Sequence, residues 1–393
     1  MKDLIRTVVI DPHPESRIAI KQLLGSIGTF WVAEVLETYR DSRARIEAIN
    51  PDLTIVVLDH DAQQAVDAIA AVTQANPRAI ILPASRNCDS ALILRAIRAG
   101  AREFLTLPAE PAELLEITGR LLRGREETPA NASRDRRVIA VTGASGGIGV
   151  TSVAVNLAAT LASARQHETV LLDFDMIFGS VDAALDIVTE NTVFTVLQNL
   201  ERLDATLLRR STTQHASSLY VLPRPTAIEE AARIDPEALQ RLLCMLRASF
   251  GTVVIDTSKG LQATDFAAME IADTILIVAQ LDLTCLRNTT RLIGVLHQFD
   301  GLADRIKLVI NRAGSIDNEI SPAKAEETLK LPISWQIPNV TKIFQAARIK
   351  GTPIADVAKG SRPHQVFLEM ARTLRPAPEE PARQRKGLFA ALF

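Results

Sequence analysis

Residues 137–152, RVIAVTGASGGIGVTS, decide the reading of this 393-residue chain. Val138–Thr142 is an apolar run rich in β-branched residues and predicts a buried strand. Gly143, Gly146, Gly147 and Gly149 follow closely, and Thr151 opens an alanine-rich stretch, TSVAVNLAATLA, that predicts a helix. In a strand, glycine-rich loop and helix of this kind, backbone N–H groups and the helix N-terminus face an anion. Position 150, directly before the threonine, holds Val where a phosphate-binding loop carries its lysine. The sequence keeps the cradle and lacks the main cation. It reads as a nucleotide-dependent switch or scaffold before it reads as a fast NTPase.

Composition bounds the rest. Apolar residues make up 47% of the chain, enough for sizeable cores in two or three domains. A net charge of −2 provides no global basic field and speaks against nucleic acid as a partner. The apolar runs Val138–Val141 and Thr274–Ala279 fall far short of the roughly 20 residues of a membrane span. No apolar segment of signal-peptide length follows Met1–Thr7. Cys88, Cys244 and Cys285 are widely spaced and odd in number, which fits core thiols in a reducing cytoplasm rather than a zinc site or disulfide framework.

Periodicity divides the chain in two. Strands are expected at Thr7–Ile10, Trp31–Leu36, Leu53–Leu58, Ala79–Leu82 and Glu103–Leu105, with helices at Pro14–Leu24, Arg40–Asn50, Ala62–Gln74, Cys88–Ala99 and Pro111–Leu122. Buried strands interleaved with helices predict an open parallel sheet covered on both faces. Residues 123–136, RGREETPANASRDR, shift to charged and small residues and read as a linker. A second α/β block spans 137–375, with strands at Val138–Thr142, Thr169–Asp173, Leu219–Leu222, Thr252–Asp256, Thr274–Ala279 and Ile306–Ile310. The remaining 376–393 reads as a flexible, proline- and charge-rich tail. The fold class expected is α/β, two doubly wound parallel-sheet domains.

The element order of residues 1–122, with AIRAGAREFLTLPAEPAELLEIT at 96–118, resembles the response-regulator receiver family. That resemblance implies a flavodoxin-like fold and an acidic phosphorylation site, and most of the site is missing. Asp11 stands alone of the acidic pair, and Val57 occupies the phosphoacceptor position with Asp59 two residues on. Pro83 takes the Thr/Ser position, near Ser85, and Leu107 replaces the lysine before Pro108. Phosphoryl transfer needs a carboxylate nucleophile, Mg²⁺ ligands and a cation, so a platform for interactions is the expectation.

The stretch SGGIGVTS at 145–152 resembles the phosphate loop of MinD/ParA-class ATPases. VLLDFDMIFGSVDAALDI at 170–187 is similar to the class's strand leading into switch I, with Asp173 and Asp175. FGTVVIDTSKG at 250–260 is similar to its Walker B strand and switch II, with Asp256, and KLVINRAG at 307–314 to the strand that reads adenine, with Asn311 and Arg312. The resemblance implies ATP and Mg²⁺ at a weakened site. Gly143, Ser145, Gly146, Gly147, Ile148, Gly149, Val150, Thr151 and Ser152 would form the phosphate loop, and Asn311 and Arg312 would face the base. Asp175 and Asp256 are the catalytic candidates, and with Thr151 they are the Mg²⁺ candidates. The class's signature lysine, which reaches across a homodimer interface, is Ser145 here, and the cis lysine is Val150. Losing one lysine weakens binding about 10- to 100-fold, and losing both harms turnover more than binding. Lys259 reads either as a solvated loop lysine or as a partial substitute.

A degenerate receiver joined to a MinD/ParA-like domain resembles the TadZ/CpaE pilus-assembly family of the tight-adherence (Flp, type IVc) system. LYVLPRPTAIEEAARIDPEALQRLL (219–243), LRNTTRLIGVL (286–296) and WQIPNVTKIFQAARIKGTPIADV (335–357) support it. The resemblance implies a cytoplasmic localisation and scaffolding factor at a cell pole or the inner membrane, working with the secretion ATPase machinery. The other readings are a ParA-like DNA- or plasmid-partitioning ATPase, a signalling receiver with an output domain, and a scaffold with a fossil phosphate loop. The end of the tail, ARQRKGLFAALF (382–393), sets a basic cluster in 383–386 beside an apolar face. It resembles the membrane-targeting end of MinD-type proteins; a tail docked on its own domain or on a partner is the other reading.

Overall fold

The computed structural model describes residues 4–77, 79–87, 89–126, 136–164, 167–315 and 320–375. They form two sheets. The first has order β2-β1-β3-β4-β5, with β1 at Ile5–Ile10, β2 at Phe30–Leu36, β3 at Leu53–Val57, β4 at Ile81–Ser85 and β5 at Leu105–Thr106. Its pairings are all parallel. Successive strand residues point to opposite faces, and both sets are apolar here. Val9, Ile55 and Val57 feed one core, Val8, Ile10 and Val56 the other, so helices cover both sides.

The helix Pro111–Glu126 runs past the expected boundary at 122. The start of the expected linker is therefore helical, because its Arg and Glu residues favour a helix as readily as a solvated loop. Residues 127–135 of that linker, and the tail 376–393, lie outside the described residues.

The second sheet has order β13-β12-β11-β6-β10-β7-β9-β8. Its strands are β6 Arg137–Thr142, β7 Thr169–Asp173, β8 Thr213–Gln214, β9 Tyr220–Leu222, β10 Thr252–Asp256, β11 Thr274–Ala279, β12 Ile306–Ala313 and β13 Ile333–Pro338. Two edge strands, β8 and β13, were not expected from the sequence, and β8 runs antiparallel to β9. The sheet is thus parallel except at one rim. Central β6 lies between β10 and β11, and its C-terminal end feeds the helix Val150–Ser163. That helix is buried from Val153 to Ala162, because its Ala, Val and Leu side chains pack between the sheet and the helix Arg362–Leu374. The two sheet units touch: Trp31 and Leu4 enter the larger core, and Arg136 pairs with Asp52 at 3.6 Å.

Candidate functional site

The loop after β6 is shaped by close approach. A Cβ at Gly143 would lie 2.6 Å from Ile148 Cδ1 and 2.8 Å from Val150 Cγ2. Gly147 and Gly149 hold φ of +75° and +98°, the left-handed region that excludes most side chains. Behind the loop stands Asn311 on β12. Its Nδ2 donates to the Ile148 carbonyl at 2.7 Å, and its Oδ1 accepts from the Arg312 N–H at 2.9 Å. Arg312 Nη2 donates to the Gly147 carbonyl at 3.0 Å, Gln280 Nε2 to the Ile148 carbonyl at 3.4 Å, and Asn288 Nδ2 to Ser145 Oγ at 3.2 Å. The loop's acceptors are tied back to the protein. Among the described residues, the backbone N–H groups of Gly146, Gly147 and Gly149 donate no hydrogen bond. That is the polarity an anion cradle needs.

A cleft of about 1000 Å³ opens over this loop. Of the residues the sequence singled out, Ser145, Gly147, Ile148, Gly149, Val150, Thr151, Ser152, Asp175, Asn311 and Arg312 line it. Gly143 and Asp256 lie behind the wall, Gly143 packed against Ile148 and Asp256 fully buried, and Gly146 is exposed and not part of the lining. Lys259, Gln280, Asp282 and Arg348 also line the cleft; sequence reasoning left Gln280, Asp282 and Arg348 out.

Below the loop two carboxyls face each other across the sheet. Asp256 ends β10 in register with Asp173 at the end of β7, and both are 0% exposed. Asp173 accepts from the Asp175 N–H at 3.2 Å and the Val181 N–H at 3.0 Å. Burial pushes the Asp173 carboxyl up to about 7, with the charge of Asp175 adding to it. Burial raises Asp256 well above its ordinary value, and the Asp173 charge adds again. Both Asp256 oxygens lack a hydrogen-bond partner of normal geometry; the Thr151 hydroxyl faces them and favours the charged form. The sequence paired Asp173 with Asp175 but gave only Asp175 a site role. The missed signal was that Asp173 ends an apolar strand beside the one ending in Asp256.

Unpartnered buried carboxylate oxygens are costly unless a cation satisfies them. The donor set of Thr151, Asp175 and Asp256, all oxygen, fits Mg²⁺. Among the described residues no group of three or more His, Cys, Asp or Glu is placed to hold a metal by itself. Mg²⁺ here would need phosphate oxygens to complete its shell.

In the first sheet, Asp11 follows β1 and accepts from the His13 N–H at 2.9 Å and from the Ser16 hydroxyl. Asp59 accepts from the Ser85 hydroxyl and from the Arg86 N–H at 3.0 Å. Val57, where the receiver resemblance expects the phosphoacceptor, is buried at the end of β3, and its carbonyl accepts from Tyr39 Oη at 2.6 Å.

A strand, a glycine loop under a helix N-terminus and a carboxylate ending the neighbouring strand define the P-loop NTPase class. The comparisons agree: the AAA domain profile (AAA_31) matches residues 136–308. The septum site-determining protein MinD of Synechocystis is 28% identical over 245 residues, 61% of this chain and 89% of that protein. The crystal structure of a ParA family ATPase from Chlorobium tepidum superposes with TM-score 0.58 at 24% identity, over 60% of this chain and 98% of the other. MinD from Pyrococcus horikoshii, solved with Mg-ADP, gives 0.54 at 24% identity over 61% and 96%. Residues 136–308 thus match the AAA domain profile, and the second sheet with its helices has the fold of these MinD and ParA-type proteins. Among the described residues, no helix is long and apolar enough to cross a membrane.

Proposed function

We propose that the chain is a nucleotide-controlled localisation and scaffolding factor for Flp (tight-adherence, type IVc) pilus assembly, of the TadZ/CpaE kind. It divides into a receiver-like platform at 1–122, an ATPase-like domain at 137–375 and a tail at 376–393. One observation carries the nucleotide part: a glycine cradle with undonated N–H groups above a buried, unpartnered Asp256, with Val150 in place of the lysine. Mg²⁺·ATP fits that chemistry. The N–H groups of Gly146, Gly147 and Gly149 would bind phosphate, Thr151 and Asp256 would hold the metal, and Asp175 would orient water. Bound Mg²⁺ would draw charge from the phosphates and neutralise the acidic pair. With neither lysine present, the residues bind and orient but stabilise little transition-state charge, so hydrolysis is slow or absent.

Sheet order 2-1-3-4-5 supports the receiver-like reading of residues 1–122, since flavodoxin-like sheets share it. Val57 and Leu107 at two required positions support a platform without phosphorylation. The dimer, the secretion machinery as partner and the membrane contact by 383–393 rest on the family resemblance. A fluorescent fusion tests the scaffold: deleting 1–122 should abolish focus formation while nucleotide binding persists. Unchanged foci after that deletion contradict the platform role.

A further inference from the structure

The cleft holds a phosphate loop with no lysine in it. We propose that Lys259, on the loop after β10, supplies the missing phosphate-binding charge; this rests on the nucleotide reading above. The topology puts it within reach. β10 lies beside β6 with Asp256 opposite Val141, so the loops after these two strands emerge side by side. Thr257 locks them together, its N–H and hydroxyl both donating to the Val141 carbonyl, at 3.0 and 3.1 Å. Two residues on, the Lys259 stem lies against the glycine loop: a Cβ at Gly146 would be 3.6 Å from Lys259 Cδ and 4.0 Å from Cε. The stem thus runs within ordinary contact distance of the loop at Gly146, and Lys259 lines the cleft.

The loop that carries Lys259 is held in shape. Asp265 accepts from the Ser258 N–H at 2.8 Å, the Ser258 hydroxyl at 2.6 Å and the Gln262 N–H at 2.8 Å. Leu261 sits at φ +48°, a conformation that persists only where its surroundings enforce it. Arg312, another cation lining the cleft, already donates to the Gly147 carbonyl. Among the described residues Lys259 makes no ion pair, and it is exposed, so phosphate would not have to compete with a protein carboxylate for it. A lysine inside the phosphate loop is fixed whether or not nucleotide is present. A lysine on the loop after the Walker B strand links phosphate occupancy to that loop's position, and the linkage is reciprocal.

Calorimetric titration of the full chain with Mg²⁺·ATP tests this across wild type, Lys259→Gln, Lys259→Arg and Val150→Lys/Lys259→Gln. Lys259→Gln should bind about 10- to 100-fold more weakly, the value for losing one charged phosphate contact. Lys259→Arg should stay near wild type, and the double variant should recover by restoring a lysine from the other side. Hydrogen exchange should slow over 257–262 on ATP addition in wild type and not in Lys259→Gln. If wild type binds and Lys259→Gln binds equally well, the assignment of Lys259 is overturned and the nucleotide site stands. If only the Val150→Lys/Lys259→Gln variant binds, Lys259 does not supply the charge and the assignment is overturned; if neither it nor wild type binds, the nucleotide reading falls and takes this assignment with it.

Discussion

Replacing Asp256 by Asn should make the protein more stable at pH 8 and leave it nearly unchanged at pH 4. Asp256 and Asp173 are fully buried neighbours; burial raises both carboxyls, and the charge of Asp173 raises Asp256 further. A carboxyl raised in the folded state holds its proton after the unfolded chain has released it. Stability therefore falls as pH rises from the unfolded value near 4 toward the folded value, and levels off above it. For Asp173 the interval runs from 3.8 to about 7, which at about 1.4 kcal/mol per pH unit caps the cost at about 4 kcal/mol. Asp256→Asn removes a buried acid that burial and the Asp173 charge both raise, so roughly 1–3 kcal/mol should return at pH 8. Burial holds His215 and His364 below their ordinary values, which tilts the curve the other way as pH falls below 6.5. The difference between variant and parent isolates the pair. The assay is urea unfolding at pH 4, 5, 6, 7 and 8, read by Trp335 fluorescence in a Trp31→Phe background, since the chain has two tryptophans. A constant stability difference across that range, or a destabilised Asp256→Asn at pH 8 without Mg²⁺, would refute the buried-pair argument.

Other expectations follow from single contacts. Gly149→Ala forces a side chain to φ +98° and against Asn311 Nδ2, which also holds the Ile148 carbonyl. The conformational cost and the strained hydrogen bond together amount to roughly 2–3 kcal/mol, seen as a melting point lower by about 5–10 °C; a drop under about 1 °C contradicts the crowding. Incubation with acetyl phosphate should leave residues 1–122 unmodified, because Asp59 is turned to Ser85 and Arg86 and no lysine stands at 107; an aspartyl phosphate at Asp59 by mass spectrometry would show the register is misread. If 383–393 is a membrane contact, removing 387–393 should release the protein from anionic vesicles in co-sedimentation. Unchanged sedimentation with a lower melting point makes the tail a docking element.

The central strands were legible because each is buried on both faces and so reads as an unbroken apolar run. Thr169–Asp173, Thr252–Asp256 and Thr274–Ala279 have the same bounds in the sequence reading and in the structure. β13 escaped notice because an edge strand alternates, with Gln336 exposed between buried Trp335 and Ile337. β8 is two residues long and carries no periodic signal. The glycine-rich loop between β6 and the helix Val150–Ser163 was legible from its glycines alone. What supports it was not: the bond from Asn311 to the Ile148 carbonyl and the Lys259 stem over Gly146 join residues far apart in sequence, through side-chain directions that no local pattern encodes.

The account rests on a cradle that binds nucleotide without its lysines. Titration of the wild-type chain with ATP and Mg²⁺ in a calorimeter, with phosphate release followed in the same samples, tests it most directly. The account predicts a binding isotherm in the micromolar-to-millimolar range and turnover far below one per second, the lower end of ordinary enzyme rates. No heat of binding at millimolar ATP, or turnover on the order of one per second, would contradict it.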